Sequence, residues 1–145
     1  MKHGRTIVLL AGLVSSMAAG AVDLPKVDVY KSANCGCCNR WADHLRQQGF
    51  AVTMHVVADV AAERKRLGMP EAVASCHTAK IGNYVVEGHV PASDIKRMLA
   101  EKTKALGLAV PDMREGSPGM EGPHPVPYEV LLVQTNGALR PFANH

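Results

Sequence analysis

From residue 27 to residue 45 the chain runs Val27-Asp28-Val29-Tyr30-Lys31-Ser32-Ala33-Asn34-Cys35-Gly36-Cys37-Cys38-Asn39-Arg40-Trp41-Ala42-Asp43-His44-Leu45. Val27 to Tyr30 is a short apolar strand, closed by the polar run Lys31 to Asn34. From Cys38 the apolar positions are Cys38, Trp41, Ala42 and Leu45, spaced i, i+3, i+4, i+7, which is the period of a helix with one buried face. Gly49 gives that helix its stop. The cysteines therefore sit where a strand hands over to a helix, the placement used by thiol redox motifs. The unpaired N–H groups and partial positive charge of a helix N-terminus favour thiolate over thiol.

Working outward, Ala51 to Val57 is rich in β-branched residues and reads as a second strand. Asp59 caps a helix carrying Val60, Arg64 and Leu67 on one side, ended by Gly68. Thr78–Ile81 and Tyr84–Glu87 flank Gly82-Asn83 and predict a β-hairpin. Ser93 is in place to cap a further helix with Ile95, Met98 and Leu99 inward. The order βαβα followed by ββα is that of an α/β, thioredoxin-like domain, expected over residues 22–106. Residues 107–145 read as a C-terminal extension packed on that core. Gly107 to Pro127 is rich in Gly and Pro without a helical or strand period, so it reads as a long loop. Glu129–Gln134 and Ala138–Phe142 bracket Asn136-Gly137, a second hairpin expected to anchor the loop over the core.

Ahead of this, Met1 to Arg5 carries Lys2 and Arg5, Thr6 to Gly20 is uncharged and apolar, and Ala19-Gly20-Ala21 is a small-residue cleavage pattern. Residues 1–21 thus predict a secretory signal peptide and export, with no membrane attachment after cleavage. The sequence holds 16 Lys+Arg and 13 Asp+Glu; losing Lys2 and Arg5 leaves 14 against 13. That balance gives no electrostatic reason for a nucleic-acid partner. No phosphate loop, nucleotide fingerprint or serine-hydrolase constellation is present, and a monomer is expected.

Four cysteines in an exported chain usually mean disulfides, but Cys35, Cys37 and Cys38 crowd into four residues and Cys76 stands alone. A framework that staples distant loops spreads its cysteines out. Three sulfurs on one turn can converge on soft metal ions, where a dithiol switch needs two. Antiparallel pairing places the residues before the first hairpin strand, Cys76-His77, beside those after its second, Gly88-His89. In a thioredoxin-like sheet this end faces the cysteine turn, with His89 the more distant imidazole. Thiolate and imidazole suit Cu(I), zinc or iron–sulfur chemistry. Met113 and Met120, apolar residues in the Gly/Pro loop, add thioethers and tip the expectation to copper. The expected metal ligands are Cys35, Cys37, Cys38, Cys76, His77, His89, Met120 and Met113, with Cys35 and Cys38 also the redox pair. Met98 and Trp41 read as core, and His44, His55, His124 and His145 as solvated.

The segments Val29 to Cys38 with Trp41-Ala42, Ser75-Cys76-His77-Thr78-Ala79, Glu87-Gly88-His89-Val90-Pro91-Ala92, Gly107-Leu108-Ala109-Val110-Pro111 and Gly116-Ser117-Pro118-Gly119-Met120-Glu121 resemble, in that order, the CopG family of periplasmic copper-resistance proteins. The resemblance implies a thioredoxin-like domain with a metal-binding C-terminal extension and a cysteine-bridged copper centre. It further implies interconversion of Cu(I) and Cu(II) alongside periplasmic copper-efflux components. Asp112-Met113-Arg114-Glu115 departs from the family's usual Gly-Met-Pro stretch by its charge. Two other readings stay open on the residues alone. One is a thiol–disulfide oxidoreductase with Cys35 attacking and Cys38 resolving; the other is a Cu(I) buffer or chaperone without redox change.

Overall fold

The computed structural model describes residues 23–145; the expected signal peptide lies outside the described residues. The elements run β1 (Val27–Lys31), α1 (Gly36–Gln47), β2 (Val52–Val56), α2 (Val60–Arg66), a 3-10 turn (Glu71–Val73), β3 (His77–Ile81), β4 (Tyr84–Glu87), α3 (Ala92–Glu101), β5 (Gly107–Ala109), β6 (Glu129–Val133) and β7 (Leu139–Asn144). They form one mixed α/β unit with a seven-stranded sheet ordered β2-β1-β3-β4-β5-β6-β7. Strand β1 is parallel to β2 and antiparallel to β3, β4 is parallel to β5, and the β3–β4 and β6–β7 pairs are the two expected hairpins. No helix among the described residues is long and apolar enough to cross a membrane.

Alternation along the strands sends neighbouring residues to opposite faces, and each face has its own core. On one, α1 and α3 bury Trp41, Leu45, Ile95 and Met98 against Val27, Val29, Ala79, Ile81, Val86, Leu108 and Val130. On the other, Met69 and Val73, with Leu67, cover Val85, Ala109 and Val133. The helical face read from the sequence, Cys38, Trp41, Ala42 and Leu45, is the buried face of α1. Asp59 caps α2 by accepting from the Ala62 N–H.

Several local readings are corrected. Residues 107–109 are not loop but strand β5, inserted between β4 and β6. Three residues are too few to show a period, and Gly107 reads as a breaker; a Cβ there would run into the Val85 carbonyl, so close pairing with β4 demands glycine. The second hairpin, expected to anchor the loop, continues the same sheet through β5–β6 pairing. Helix α3 begins after Pro91 with no side-chain cap of its own. His44 Nε2 accepts from the Ala92 N–H at 3.1 Å instead, so this histidine is half-buried rather than solvated. Burial holds its pKa below the ordinary value, which suits an acceptor. His55, stacked on Tyr30 and bonded to Asp28, is also half-buried, while His145 is exposed as expected and still stacks on Tyr128 and bonds to Asp94. His124 is exposed as expected.

Candidate metal centre

The site forms where the C-terminal end of β1, the start of β3 and the end of β4 meet the tip of α1. Cys35 is the residue before α1, and Cys37 and Cys38 lie in its first turn. Cys76 precedes β3, whose first residue, His77, pairs with Lys31 at the end of β1. The sulfurs of Cys35, Cys37, Cys38 and Cys76 all fall within 4.8 Å of one another, and the donor atoms of Cys76, His77 and His89 meet the same limit. Cys76 belongs to both groups. Cys35 and Cys38 are joined as a disulfide, their Cα atoms 5.4 Å apart, while Cys37 and Cys76 are free thiols. Cys37 Sγ lies 3.6 Å from Cys35 Sγ and 3.8 Å from Cys76 Sγ.

The imidazoles are ordered the other way round from the sequence reading. His89 Nε2 is 3.0 Å from Cys76 Sγ, and His77 Nδ1 is 3.6 Å from it. The reason is that His89 follows Gly88 back over the hairpin end, while His77 is turned into the core against Trp41, ring centroids 4.4 Å apart. His89 Nδ1 lies 2.8 Å from the Pro118 carbonyl. A carbonyl only accepts, so Nδ1 carries the proton and Nε2 presents a lone pair to the Cys76 thiol. Burial lowers the pKa of His89 and sets that of His77 well below its ordinary value, the latter with help from His89. Both rings are therefore neutral, the form that ligates metal. Burial, with Cys37 beside it, pushes the Cys76 thiol up to about 12, so this sulfur stays protonated until something replaces its proton.

The donor set fits a soft metal. Thiols and neutral imidazoles are what such ions select, and His77 Nε2 is buried without any hydrogen-bond partner. The nitrogen of His77 that faces Cys76 is the other one, Nδ1, so the fit comes from the chemistry of the donor set.

The long loop closes the site from above. Gly119 sits on the first turn of α1 with φ +84°, and a Cβ there would lie 2.7 Å from Trp41 N and 2.9 Å from the Cys37 carbonyl. Arg40 Nε donates to the Gly119 carbonyl at 2.9 Å, and the Gly119 N–H donates to Glu121 Oε1 at 2.7 Å. Met120, half-buried, follows directly. Met113 is 57% exposed, on the bend between Asp112 and Arg114. Trp41 and Met98 are fully buried core residues, as expected, and Trp41 Nε1 donates to the Val90 carbonyl.

Several supporting residues went unread in the sequence. Lys31 is buried and its ammonium straps the turn, donating to the Cys35 carbonyl at 3.1 Å and Asn39 Oδ1 at 3.0 Å. Its signal was the alternation Val27, Val29, Lys31, which puts the lysine on the inward phase. Arg64 is buried and holds both arms of the Cys76 group. Its Nε donates to Glu87 Oε1 at 2.9 Å and its Nη2 to the Ser75 carbonyl at 2.8 Å; Glu87 Oε1 also accepts from the Ser75 N–H. Ser75 precedes Cys76, and Glu87 precedes Gly88-His89. Here the clue was a charged residue on the inward face of α2, beside Val60 and Leu67.

Sheet and site together define an α/β protein with a sulfur-rich cluster able to hold a soft metal ion. The family described as "protein of unknown function, DUF411" matches residues 73–120, the span that supplies Cys76, His77, His89 and Met120. Two solved structures, titled copper resistance protein CopG forms 2 and 1, superpose with TM-scores of 0.80 and 0.79. Each is 45% identical and covers 85% of this chain, and 99% and 98% of the respective neighbour is matched. No curated protein matches the sequence. The chain belongs to the CopG family of copper-resistance proteins.

Proposed function

We propose that the protein serves copper resistance as an exported, periplasmic copper-binding protein that interconverts Cu(I) and Cu(II), with copper as its substrate. The supporting observation is the convergence of four sulfurs within 4.8 Å with two neutral imidazoles grouped on one of them, Cys76. Reduced Cys35, Cys37, Cys38 and Cys76 would hold copper, with His77 and His89 as nitrogen donors grouped beside Cys76. Met120 is the nearer thioether candidate, and Met113, turned to solvent, the weaker one. Soft sulfur stabilises Cu(I) and nitrogen favours Cu(II), so a mixed set poises the couple between them. In this reading residues 22–106 are a thioredoxin-like core, which the element order β1-α1-β2-α2-β3-β4-α3 supports. Residues 107–145 are the extension, whose loop lies against the first turn of α1 and would help to hold the metal.

The Cys35–Cys38 disulfide favours a second reading, a thiol–disulfide oxidoreductase in which Cys37 is dispensable. Copper content separates the two. Cys37→Ser should lower bound Cu(I) as far as Cys35→Ser does, measured by competition with a Cu(I) chelator and by anomalous scattering at the copper edge. A Cys37→Ser protein that keeps wild-type copper and dithiol turnover overturns the copper reading in favour of the dithiol one.

A further inference from the structure

With the Cys35–Cys38 bond already formed, the two remaining thiols are neighbours across an element boundary. Cys37 stands in the first turn of α1 and Cys76 at the entrance to β3, their sulfurs 3.8 Å apart. A disulfide needs about 2.0 Å between sulfurs, so the gap to close is about 1.8 Å. Both side chains are half-buried, open to small oxidants. Cys76 also has an outlet for its proton in the bare Nε2 of His89, 3.0 Å away.

We infer that Cys37 and Cys76 form a second redox-active dithiol, so that the site stores four electrons rather than two and can deliver them to cupric ions. Each pair reacts as two thiols plus two Cu(II), giving one disulfide, two Cu(I) and two protons. At the second pair the S–H bonds of Cys37 and Cys76 break and one S–S bond forms. One electron from each sulfur passes to a cupric ion, and the protons leave to solvent, that of Cys76 by way of His89. Full oxidation uses all four cysteines of the chain, reduces four cupric ions and leaves no thiolate to hold the product. Oxidation and release of Cu(I) are thereby the same event. The identity of the oxidant rests on the copper reading above; the pairing rests on the geometry.

The test uses the fully reduced, metal-free protein at high dilution, treated with excess cupric glycinate in the presence of a chromogenic Cu(I) chelator. A parallel sample is treated with diamide, which oxidises thiols without metal. The expected result is four Cu(I) per chain, an intact mass lower by four hydrogens, and a Cys37–Cys76 cross-linked peptide in both samples. Cys37→Ser and Cys76→Ser should each halve the Cu(I) yield. Two Cu(I) per chain with Cys37 and Cys76 both alkylatable overturns the inference, as does a cross-link that leaves Cys76 free. Cu(I) retention by the reduced protein is read separately. Failure to hold Cu(I) sinks the copper-binding reading and leaves the four-electron count standing, whereas a two-electron count beside normal Cu(I) retention sinks this inference alone.

Discussion

Replacing Arg64 with Met tests whether the ion pair behind the site is what holds the Cys76 segment. The guanidinium donates to Glu87 at 2.9 Å, to Glu71 at 3.1 Å and to the Ser75 carbonyl at 2.8 Å. Methionine keeps the stem and loses all three bonds, leaving the Glu87 carboxylate at 0% exposure with only the Ser75 N–H. Removing one partner of a buried pair costs about 3–5 kcal/mol. A unit of roughly 120 ordered residues unfolds with about 0.25 kcal/mol/K of entropy, so the melting temperature should drop by roughly 12–20 °C. Burial already pushes the Glu87 carboxyl above its ordinary value, and losing Arg64 raises it further. A folded-state pKa above the unfolded one means that the native state binds the extra proton, so stability is lost as pH rises through the folded value. The deficit should therefore be larger at pH 7 than at pH 5. The double variant Arg64→Met/Glu87→Leu, with no stranded charge, should recover most of the loss. Calorimetry of the metal-free proteins at both pH values is the assay. An Arg64→Met protein melting within a few degrees of wild type at pH 7 refutes the account.

Two further outcomes follow from the site's surroundings. His44, His77 and His89 all have pKa values lowered by burial, so the unfolded chain binds more protons and stability is lost as pH falls below about 6.5. His44→Gln, whose carboxamide oxygen still accepts from Ala92, should make the decline between pH 7 and 5.5 shallower; an unchanged slope in urea titrations at the two pH values would count against it. Gly119→Ala places a Cβ against Trp41 N and the Cys37 carbonyl at a left-handed φ. It should cost about 1–2 kcal/mol, a melting drop of roughly 4–8 °C, and lower the copper retained, checked by scanning calorimetry and metal analysis; wild-type values for both would show the loop does not bear on the turn.

Much of this was legible because local patterns carried it. The helical spacing of Cys38, Trp41, Ala42 and Leu45, the Gly82-Asn83 and Asn136-Gly137 turns and the Asp59 cap each act within a few residues. Antiparallel pairing put Cys76-His77 beside Gly88-His89, and the expected fold turned that end toward the cysteine turn. What escaped was decided at long range. Strand β5 exists because β4 and β6 offer it ladders on both sides, which no three-residue window reveals. His44 looked solvated because its partner, the Ala92 N–H, is 48 residues away. The partner that orients the His89 ring, the Pro118 carbonyl, lies on a loop that has no period to read.

The covering loop leaves the sheet from β5 and re-enters it at β6, its immediate neighbour. Its two ends are thus pinned about 5 Å apart, one strand spacing, and the segment is a closed staple rather than a tail. The paired ends act as one narrow hinge, so the Arg40 bond and the close packing of Gly119 on α1 are what hold the loop on the helix tip. A single proteolytic nick between residues 111 and 127 would turn that roof into two loose arms while the seven strands below keep every ladder.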